Sequence, residues 1–256
     1  MTELPDYVLK NREHWDRDAA DWVSMGERAW AQEEPDWGIW GIPEAELALL
    51  PDDMTGMSAI ELGCGTAYGA AWMARRGARV VGIDNSEKQL ETARRLAAEH
   101  DIDLELIHGN AEDVPFPDAS FDFALSEYGA SIWCDPYKWI PEASRLLRKG
   151  GELSFLGNHP FLSTVVPREG PVVADRNLRY PYFGMHRLDW EEDGDSGTDF
   201  NLPIADWLRL FDSSGFDVVA FHEIRNPTPD AEPRFDIDPA WASDYPSEQA
   251  WRLRKR

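Results

Sequence analysis

The stretch SAIELGCGTAYGAAWMARR, residues 58–76, determines how the rest of this 256-residue sequence is interpreted. An apolar segment, Ser58–Leu62, leads through a glycine-rich turn into a segment with helical periodicity, Ala67–Arg76. Glycines at 63 and 65 let the backbone approach a ligand without a Cβ collision, and the following helix offers free N–H groups. A strand, a glycine turn and a helix in this order predict a nucleoside-bearing ligand at the turn.

Apolar and helical segments alternate beyond this turn, which predicts a parallel sheet with helices between its strands. The predicted strands are Ser58–Leu62, Arg79–Ile83, Leu104–His108, Phe121–Ser126, Glu152–Leu156, Phe216–Ile224 and Gln249–Lys255. The predicted helices are Tyr7–Trp22, Glu44–Leu50, Ala67–Arg76, Glu87–His100, Pro136–Leu147 and Ile204–Asp212. A turn is expected at Gly150–Gly151. The fold class is therefore α/β, with a seven-stranded, mostly parallel sheet.

An acidic residue ends the second predicted strand. Asp84 stands 19 residues after Gly65, where a carboxylate can accept hydrogen bonds from both hydroxyls of a ribose. Asp84 could instead cap the following helix, but Ser86 is the better placed cap. Nicotinamide-dependent oxidoreductases share the glycine turn and the acid, so these two features alone leave that alternative open.

Four motifs together resemble class I S-adenosylmethionine (SAM)-dependent methyltransferases of the small-molecule type. They are ELGCGT at 61–66, GIDNSEKQLETARR at 82–95, GNAEDVPFPDASFD at 109–122 and RLLRKGG at 145–151. The sequence departs from the family pattern at Ala67, where a third glycine is common, and at Lys149, where proline is common. The resemblance implies a Rossmann-like sheet with helices on both faces, SAM as cofactor and S-adenosylhomocysteine as product. Its third motif favours this interpretation over the nicotinamide-dependent one.

The resemblance also implies a cofactor site. The residue at 110 would accept the adenine amino group. The pair at 126 and 127 would lie near the methionine portion, although both could equally serve ordinary packing at the strand end. The N-terminal arm adds tryptophans at 15, 37 and 40 that could close over the sulfonium cation, although each could equally be a core residue. The expected cofactor-binding residues are Trp40, Glu61, Gly63, Cys64, Gly65, Asp84, Asn85, Gln89, Asn110, Ala111, Glu112, Ser126 and Glu127. We expect no metal site.

Methyl transfer is a direct displacement, which mainly requires alignment of the acceptor and exclusion of water. A general base would help if the acceptor carries a proton. His159, just after the fifth strand, is the leading candidate for this base, although it could instead be a structural loop histidine; His14 and His186 are weaker candidates, and Tyr128 could hydrogen-bond the acceptor. The aromatic segment Phe161–Trp190 is expected to cap a pocket for a small, flat acceptor. SAM binding without turnover, or electrostatic assistance to another reaction, remains an alternative.

Composition limits the partners. The net charge of −23 disfavours nucleic acid and anionic membranes as partners. Two cysteines and the lack of a visible leader or spanning segment indicate a cytoplasmic protein, and a homodimer is left open. We expect one domain: a helical lid at 1–52, a SAM-binding core at 53–157, a substrate-capping insertion at 158–203 and a sheet completion at 204–256.

Overall fold

The computed structural model describes residues 4–168, 174–192, 194–230, 232, 234, 235 and 237–256. In chain order the strands are β1 (Asp36–Trp37), β2 (Ile42–Pro43), β3 (Ser58–Leu62), β4 (Arg79–Asp84), β5 (Glu105–His108), β6 (Phe121–Glu127), β7 (Leu147–Asn158), β8 (Arg187–Glu192), β9 (Asp195–Phe200), β10 (Phe216–Ile224) and β11 (Glu248–Lys255). The helices are α1 (Asp6–Ala31), α2 (Glu44–Leu47), α3 (Tyr68–Arg75), α4 (Glu87–Glu99), α5 (Ala130–Trp133), α6 (Pro136–Leu146), α7 (Leu162–Val165), α8 (Ile204–Ser213) and α9 (Pro239–Asp244).

Seven strands form the central sheet in the order β10-β11-β7-β6-β3-β4-β5. The pairs from β7 to β5 are parallel, whereas β11 runs antiparallel to both β7 and β10. The predicted α/β class with a seven-stranded, mostly parallel sheet is confirmed. Because β3, β4 and β6 are parallel, their carboxyl ends meet at one edge of the sheet, and the loops that follow them lie side by side.

The two faces of the sheet bury different side chains, as the two-residue period of a strand requires. Along β3, Ala59 packs in a core with Trp72 of α3, whereas Ile60 packs in a second core with Trp139 of α6 and Trp207 of α8. Strands buried on both faces read as nearly continuous apolar runs, which is why the sequence pattern located them.

The N-terminal helix α1 is longer than predicted and continues to Ala31. Its buried side chains include Tyr7, Val8 and Trp30, and it packs against α4 and β9. The Trp30 indole N–H donates to the Thr66 carbonyl oxygen at 2.8 Å, which fixes the end of α1 beside the glycine turn. Among the described residues, no helix has the length and apolarity needed to cross a bilayer.

Two expectations about local structure were wrong. The predicted turn at Gly150–Gly151 lies within β7, whose register against β6 shifts between Phe121 and Phe123. The insertion at 158–203, for which no helix or strand was predicted, contains α7 and the β8–β9 hairpin. Charged residues interrupt the apolar alternation of this hairpin, so its pattern gave no strand signal. Residues 169–173 and 193 of the insertion lie outside the described residues.

Candidate functional site

A cavity of about 520 Å³ lies at the carboxyl ends of β3, β4 and β6. Its volume is within the usual range of small-molecule sites. One part of its lining comes from the loops after these strands, and another comes from α1, α5, α7 and the β8–β9 hairpin. The cavity therefore joins the predicted nucleoside site to a second region that the motifs did not describe.

The glycine turn reaches the cavity through two glycines with different constraints. Gly63 has a φ of 75°, and a Cβ there would lie 2.6 Å from the Ala130 backbone nitrogen. Gly65 has a φ of 52°, but a Cβ there would meet no atom within 4 Å. Gly63 is thus required by close packing of two loops, whereas Gly65 keeps space open for a ligand. Cys64, between them, also lines the cavity.

Asp84 ends β4 on the cavity wall, as expected. Its carboxylate accepts hydrogen bonds from the backbone N–H groups of Gly65, at 2.7 Å, and Ser86, at 2.8 Å. Burial raises the pKa of Asp84, while these hydrogen bonds oppose that rise. Ser86 caps α4 by accepting from the Gln89 N–H, as predicted. A carboxylate has further lone pairs, so Asp84 can still accept from ligand hydroxyls.

The loop after β4 is held by α1. Asn85 and Gln89 both line the cavity. Arg12 donates to the Asn85 side-chain oxygen at 2.8 and 3.0 Å, and the Asn85 amide donates to the Val8 carbonyl oxygen at 2.7 Å. Asp16 accepts from the Ser86 hydroxyl at 2.7 Å. The N-terminal helix is therefore joined to the predicted ribose loop by side-chain hydrogen bonds.

The predicted adenine turn divides into cavity and scaffold residues. Asn110 and Ala111 line the cavity. Glu112 lies outside the cavity lining, and its carboxylate accepts from the Tyr7 hydroxyl at 2.7 Å and the Asp135 N–H at 2.8 Å. Its contacts are those of a residue that fixes α1 to the start of α6.

The remaining expected cofactor-binding residues also fall into two groups, one that lines the cavity and one that does not. Glu127 lines the cavity and accepts from the Gly38 N–H at 3.0 Å and from the Tyr68 hydroxyl. Ser126 and Glu61 lie outside the lining: the Ser126 hydroxyl donates to the Leu62 carbonyl oxygen, and Glu61 accepts from the Ala70 N–H at 2.7 Å. Burial raises the pKa of Glu127, and that of Glu61 more strongly.

The tryptophans of the N-terminal arm have different surroundings. Trp15 lines the cavity, whereas Trp37 is fully buried and donates its indole N–H to Glu44 at 2.6 Å. Trp40 also lies outside the cavity lining and donates to the Ser247 hydroxyl at 2.8 Å. The structure therefore does not bring Trp40 to the cavity, because its polar end is used to attach the arm to the residue before β11.

The expected base, His159, lies away from the cavity lining. It is 5% exposed, and its Nδ1 accepts from the Phe161 N–H at 3.0 Å. Burial lowers the pKa of His159 to about 4. Its hydrogen bond stabilises the turn before α7, so the structure does not support a catalytic position. The sequence offers only a weak signal for His14: on the predicted N-terminal helix it stands next to Trp15 and three residues after Asn11, a spacing that makes Asn11 and His14 neighbours on the helix surface.

Of the remaining candidates, His14 and Tyr128 line the cavity and His186 does not. His186 Nε2 lies 2.8 Å from an Asp135 carboxylate oxygen. Tyr128 donates its hydroxyl to Glu248 at 2.8 Å.

The part of the cavity wall opposite the glycine turn is aromatic. Trp15 and Trp133 meet edge to face with ring centroids 5.1 Å apart, and Trp22 stacks on Phe235 at 5.8 Å. Trp190 donates its indole N–H to the Asp199 carboxylate at 2.8 Å. Burial raises the pKa of Asp199 to about 6. Of these residues, the sequence predicts that Trp15 faces the cofactor and that Trp190 ends the capping segment, and it predicts no role in the site for Trp22, Trp133 and Phe235.

This geometry agrees with comparisons to known proteins. Residues 60–155 match the family model described as "Methyltransferase domain". A crystal structure of an S-adenosylmethionine-dependent methyltransferase from Mesorhizobium loti superposes with a TM-score of 0.66 and 25% identity, covering 83% of this chain and 96% of the other. Residues 60–155 thus carry the similarity to SAM-dependent methyltransferases that the four motifs predicted. The predicted family and cofactor are thus supported, and the nicotinamide-dependent alternative is set aside.

Two further similarities extend the comparison. The demethylmenaquinone methyltransferase of Clavibacter sepedonicus is 37% identical over 168 residues, which are 61% of this chain and 65% of that protein. The match therefore spans less than two thirds of that relative's length. The geranyl diphosphate C-methyltransferase of Streptomyces coelicolor A3(2), solved with S-adenosylhomocysteine, has a TM-score of 0.69 and covers 100% of both chains. At 13% identity it is a likeness of fold.

Proposed function

We propose that this methyltransferase-family chain transfers a methyl group from SAM to a small, flat acceptor by direct in-line displacement. The observation that carries the proposal is the continuity of one cavity between the glycine turn with Asp84 and an aromatic wall containing Trp15 and Trp133. A methyl transfer requires its two reactants in one enclosed space, and this cavity is large enough to be a site of that kind.

The residues on the cofactor side fit a nucleoside with an amino acid end. Gly65 leaves open space where a Cβ would project, and Asp84 offers acceptor lone pairs to hydroxyl groups. Asn110 and Ala111 line the cavity where the adenine ring is expected. Bound SAM would supply a methyl group on positively charged sulfur, which makes the carbon electrophilic. Together these residues would bind and orient the donor.

The aromatic side supports a flat acceptor. Large rings with few rotatable bonds bury much surface against a planar molecule at a small entropic cost. The α1 helix joins both sides, because Asn85 at the ribose loop binds Arg12 while Trp15, one turn further along, lines the cavity. Closing the cavity with this helix would exclude water from the reacting atoms.

Calorimetric titration with SAM and S-adenosylhomocysteine tests the cofactor half. Asp84→Ala should weaken binding by about 1–3 kcal/mol, because charge-assisted hydrogen bonds to the ligand are lost. Asp103→Ala is the matched control, since Asp103 is exposed just before β5 and lies outside the cavity lining. Equal binding by both variants would show that Asp84 is not the ribose ligand.

Transfer of an isotope-labelled methyl group to phenolic, amine and carboxylate acceptors tests the reaction. Labelled product from a flat acceptor is the expected result. Tight SAM binding with no labelled product from any acceptor would instead favour a binding protein without turnover. Product formed only from polar aliphatic acceptors would contradict the flat acceptor while leaving methyl transfer intact.

A further inference from the structure

His14 is a histidine on the cavity wall with a carboxylate behind it. It projects from α1, and its Nδ1 lies 2.7 Å from an Asp195 carboxylate oxygen at the start of β9. Arg17 Nη2 lies 3.2 Å from the same nitrogen, but the contact with Asp195 is shorter and a carboxylate only accepts hydrogen bonds, so Nδ1 carries the proton of a neutral ring. Nε2 is then the basic nitrogen. Among the described residues, no group hydrogen-bonds to Nε2.

The carboxylate is held in its charged form. Burial acts to raise the pKa of Asp195, but hydrogen bonds from Arg17 and His14 outweigh it and lower the pKa overall. Arg17 also lies against Asp18, which is 3.4 Å from His14 Nδ1. A charged Asp195 fixes the ring tautomer and stabilises the imidazolium that forms when Nε2 takes a proton.

Three tryptophans surround the His14 ring on the cavity side. The ring centroids of Trp15, Trp133 and Trp190 lie 5.0, 5.7 and 5.2 Å from that of His14. All three also line the cavity. A flat acceptor that packs against these rings would bring a polar substituent close to the imidazole edge.

Other titratable groups of the cavity are less suited to accept a proton from the acceptor. Tyr128 donates its hydroxyl to Glu248, and Glu127 already accepts from Tyr68 and Gly38. Asp199 binds the Trp190 indole N–H. His14 differs because its contacts with Asp195, Asp18 and Arg17 are all made at Nδ1, the nitrogen opposite the basic one.

Resting on the function proposed above, we infer that His14, positioned by Asp195, is the general base for an acceptor that carries an ionisable hydroxyl on a flat ring. The acceptor O–H proton passes to His14 Nε2, the oxygen forms a bond to the methyl carbon, and the sulfur–methyl bond breaks with its electron pair remaining on sulfur. The products are the methyl ether, S-adenosylhomocysteine and an imidazolium paired with Asp195.

The test compares two phenols that differ in acidity, 4-methylphenol and 4-nitrophenol. In a mildly alkaline buffer the first is still neutral and needs a base, whereas the second is largely ionised and does not. His14→Asn should lower kcat for 4-methylphenol by about a hundredfold or more and leave that for 4-nitrophenol within a few fold of the parent enzyme. Asp195→Asn should lower kcat for 4-methylphenol with little change in KM, since it disturbs the tautomer rather than binding.

His186→Asn is the matched control, because His186 also pairs with an aspartate but lies outside the cavity lining. It should leave both rates near those of the parent enzyme. Equal loss on both phenols in His14→Asn would indicate a structural role and overturn the inference, as would unchanged rates. Methylation of neither phenol by the parent enzyme would also overturn it. Calorimetry with SAM on every variant separates these failures from a failure of the proposed function.

Discussion

The two sides of the cavity are built in different ways. The cofactor side comes from loops that each directly follow a parallel strand, within residues 63–66, 84–89 and 109–111. The acceptor side assembles α1, α5, α7, the β8–β9 hairpin and residues 235 and 237. Adjacent strands bring the first set together once the sheet forms, whereas the second set depends on long-range packing. A short motif can therefore identify the first side, and no local pattern identifies the second.

The largest expected effect separates the two glycines of the turn. Gly63→Ala should lower the free energy of unfolding by about 3–4 kcal/mol, because its Cβ meets backbone atoms that cannot move aside and its φ is positive. Gly65→Ala should cost only about 1–2 kcal/mol, from its positive φ, yet weaken SAM binding. Urea unfolding and calorimetry measure the two effects. Equal stability of both variants would contradict this distinction.

A buried carboxylate lies where the two sides meet. Glu248 accepts from the Ile39 N–H at 2.8 Å and the Tyr128 hydroxyl at 2.8 Å, and both of these residues line the cavity. Its other oxygen is buried with no partner among the described residues. Burial raises the pKa of Glu248 to about 8, so the protonated side chain is the form at neutral pH.

The raised pKa of Glu248 predicts the direction in which the free energy of unfolding changes with pH. The folded state binds the Glu248 proton more tightly than the unfolded state does. Proton binding therefore stabilises the fold fully below the pKa of the unfolded state, and this stabilisation is lost as the pH rises through about 8. Glu248→Gln, which imitates the protonated acid, should be more stable than the parent at high pH, by an amount that shrinks as the pH falls below about 8 and vanishes below about pH 4.5. Urea unfolding across pH measures this, with the exposed Glu105→Gln as control. A pH-independent difference would contradict it.

A smaller effect is expected on the acceptor side alone. Trp15→Leu should raise the KM of a flat acceptor by about tenfold through loss of ring contact, and leave SAM affinity unchanged. Leu9→Ala is the control, since Leu9 is an exposed apolar residue of the same helix. Steady-state kinetics and calorimetry check both. A comparable loss of SAM affinity in Trp15→Leu would mean that the two sides are not separable.

The smallest effect concerns the contact between the sides. Arg12→Met should weaken SAM binding by about 0.5–1 kcal/mol, because the half-buried hydrogen bonds that hold Asn85 are lost. Arg94→Met removes an exposed ion pair on α4 and should have no such effect. A double-mutant cycle with Asn85→Ala should show non-additivity. Strict additivity would mean that Arg12 does not act through Asn85.

Most of the sheet could be predicted because its strands are buried on both faces and bounded by glycine or polar turns. The division into lid, core, insertion and sheet completion stays a prediction, as do the cytoplasmic location and the homodimer. His159 follows β7 at the expected edge of the sheet, but its ring accepts a hydrogen bond from the next turn and does not line the cavity, a matter of side-chain direction that the sequence does not show. His14, far away in sequence, reaches the cavity because α1 packs across the loop after β4.

By itself, the sequence determined the α/β sheet, the glycine turn and the acid at Asp84, because each depends on a few adjacent residues and on the geometry of one strand end. The tertiary structure decided which aromatic and acidic side chains face the cavity, and it alone paired His14 with Asp195 across 181 residues. Such pairing depends on how α1 and the β8–β9 hairpin pack together, and no local periodicity records a contact between segments so far apart in the chain.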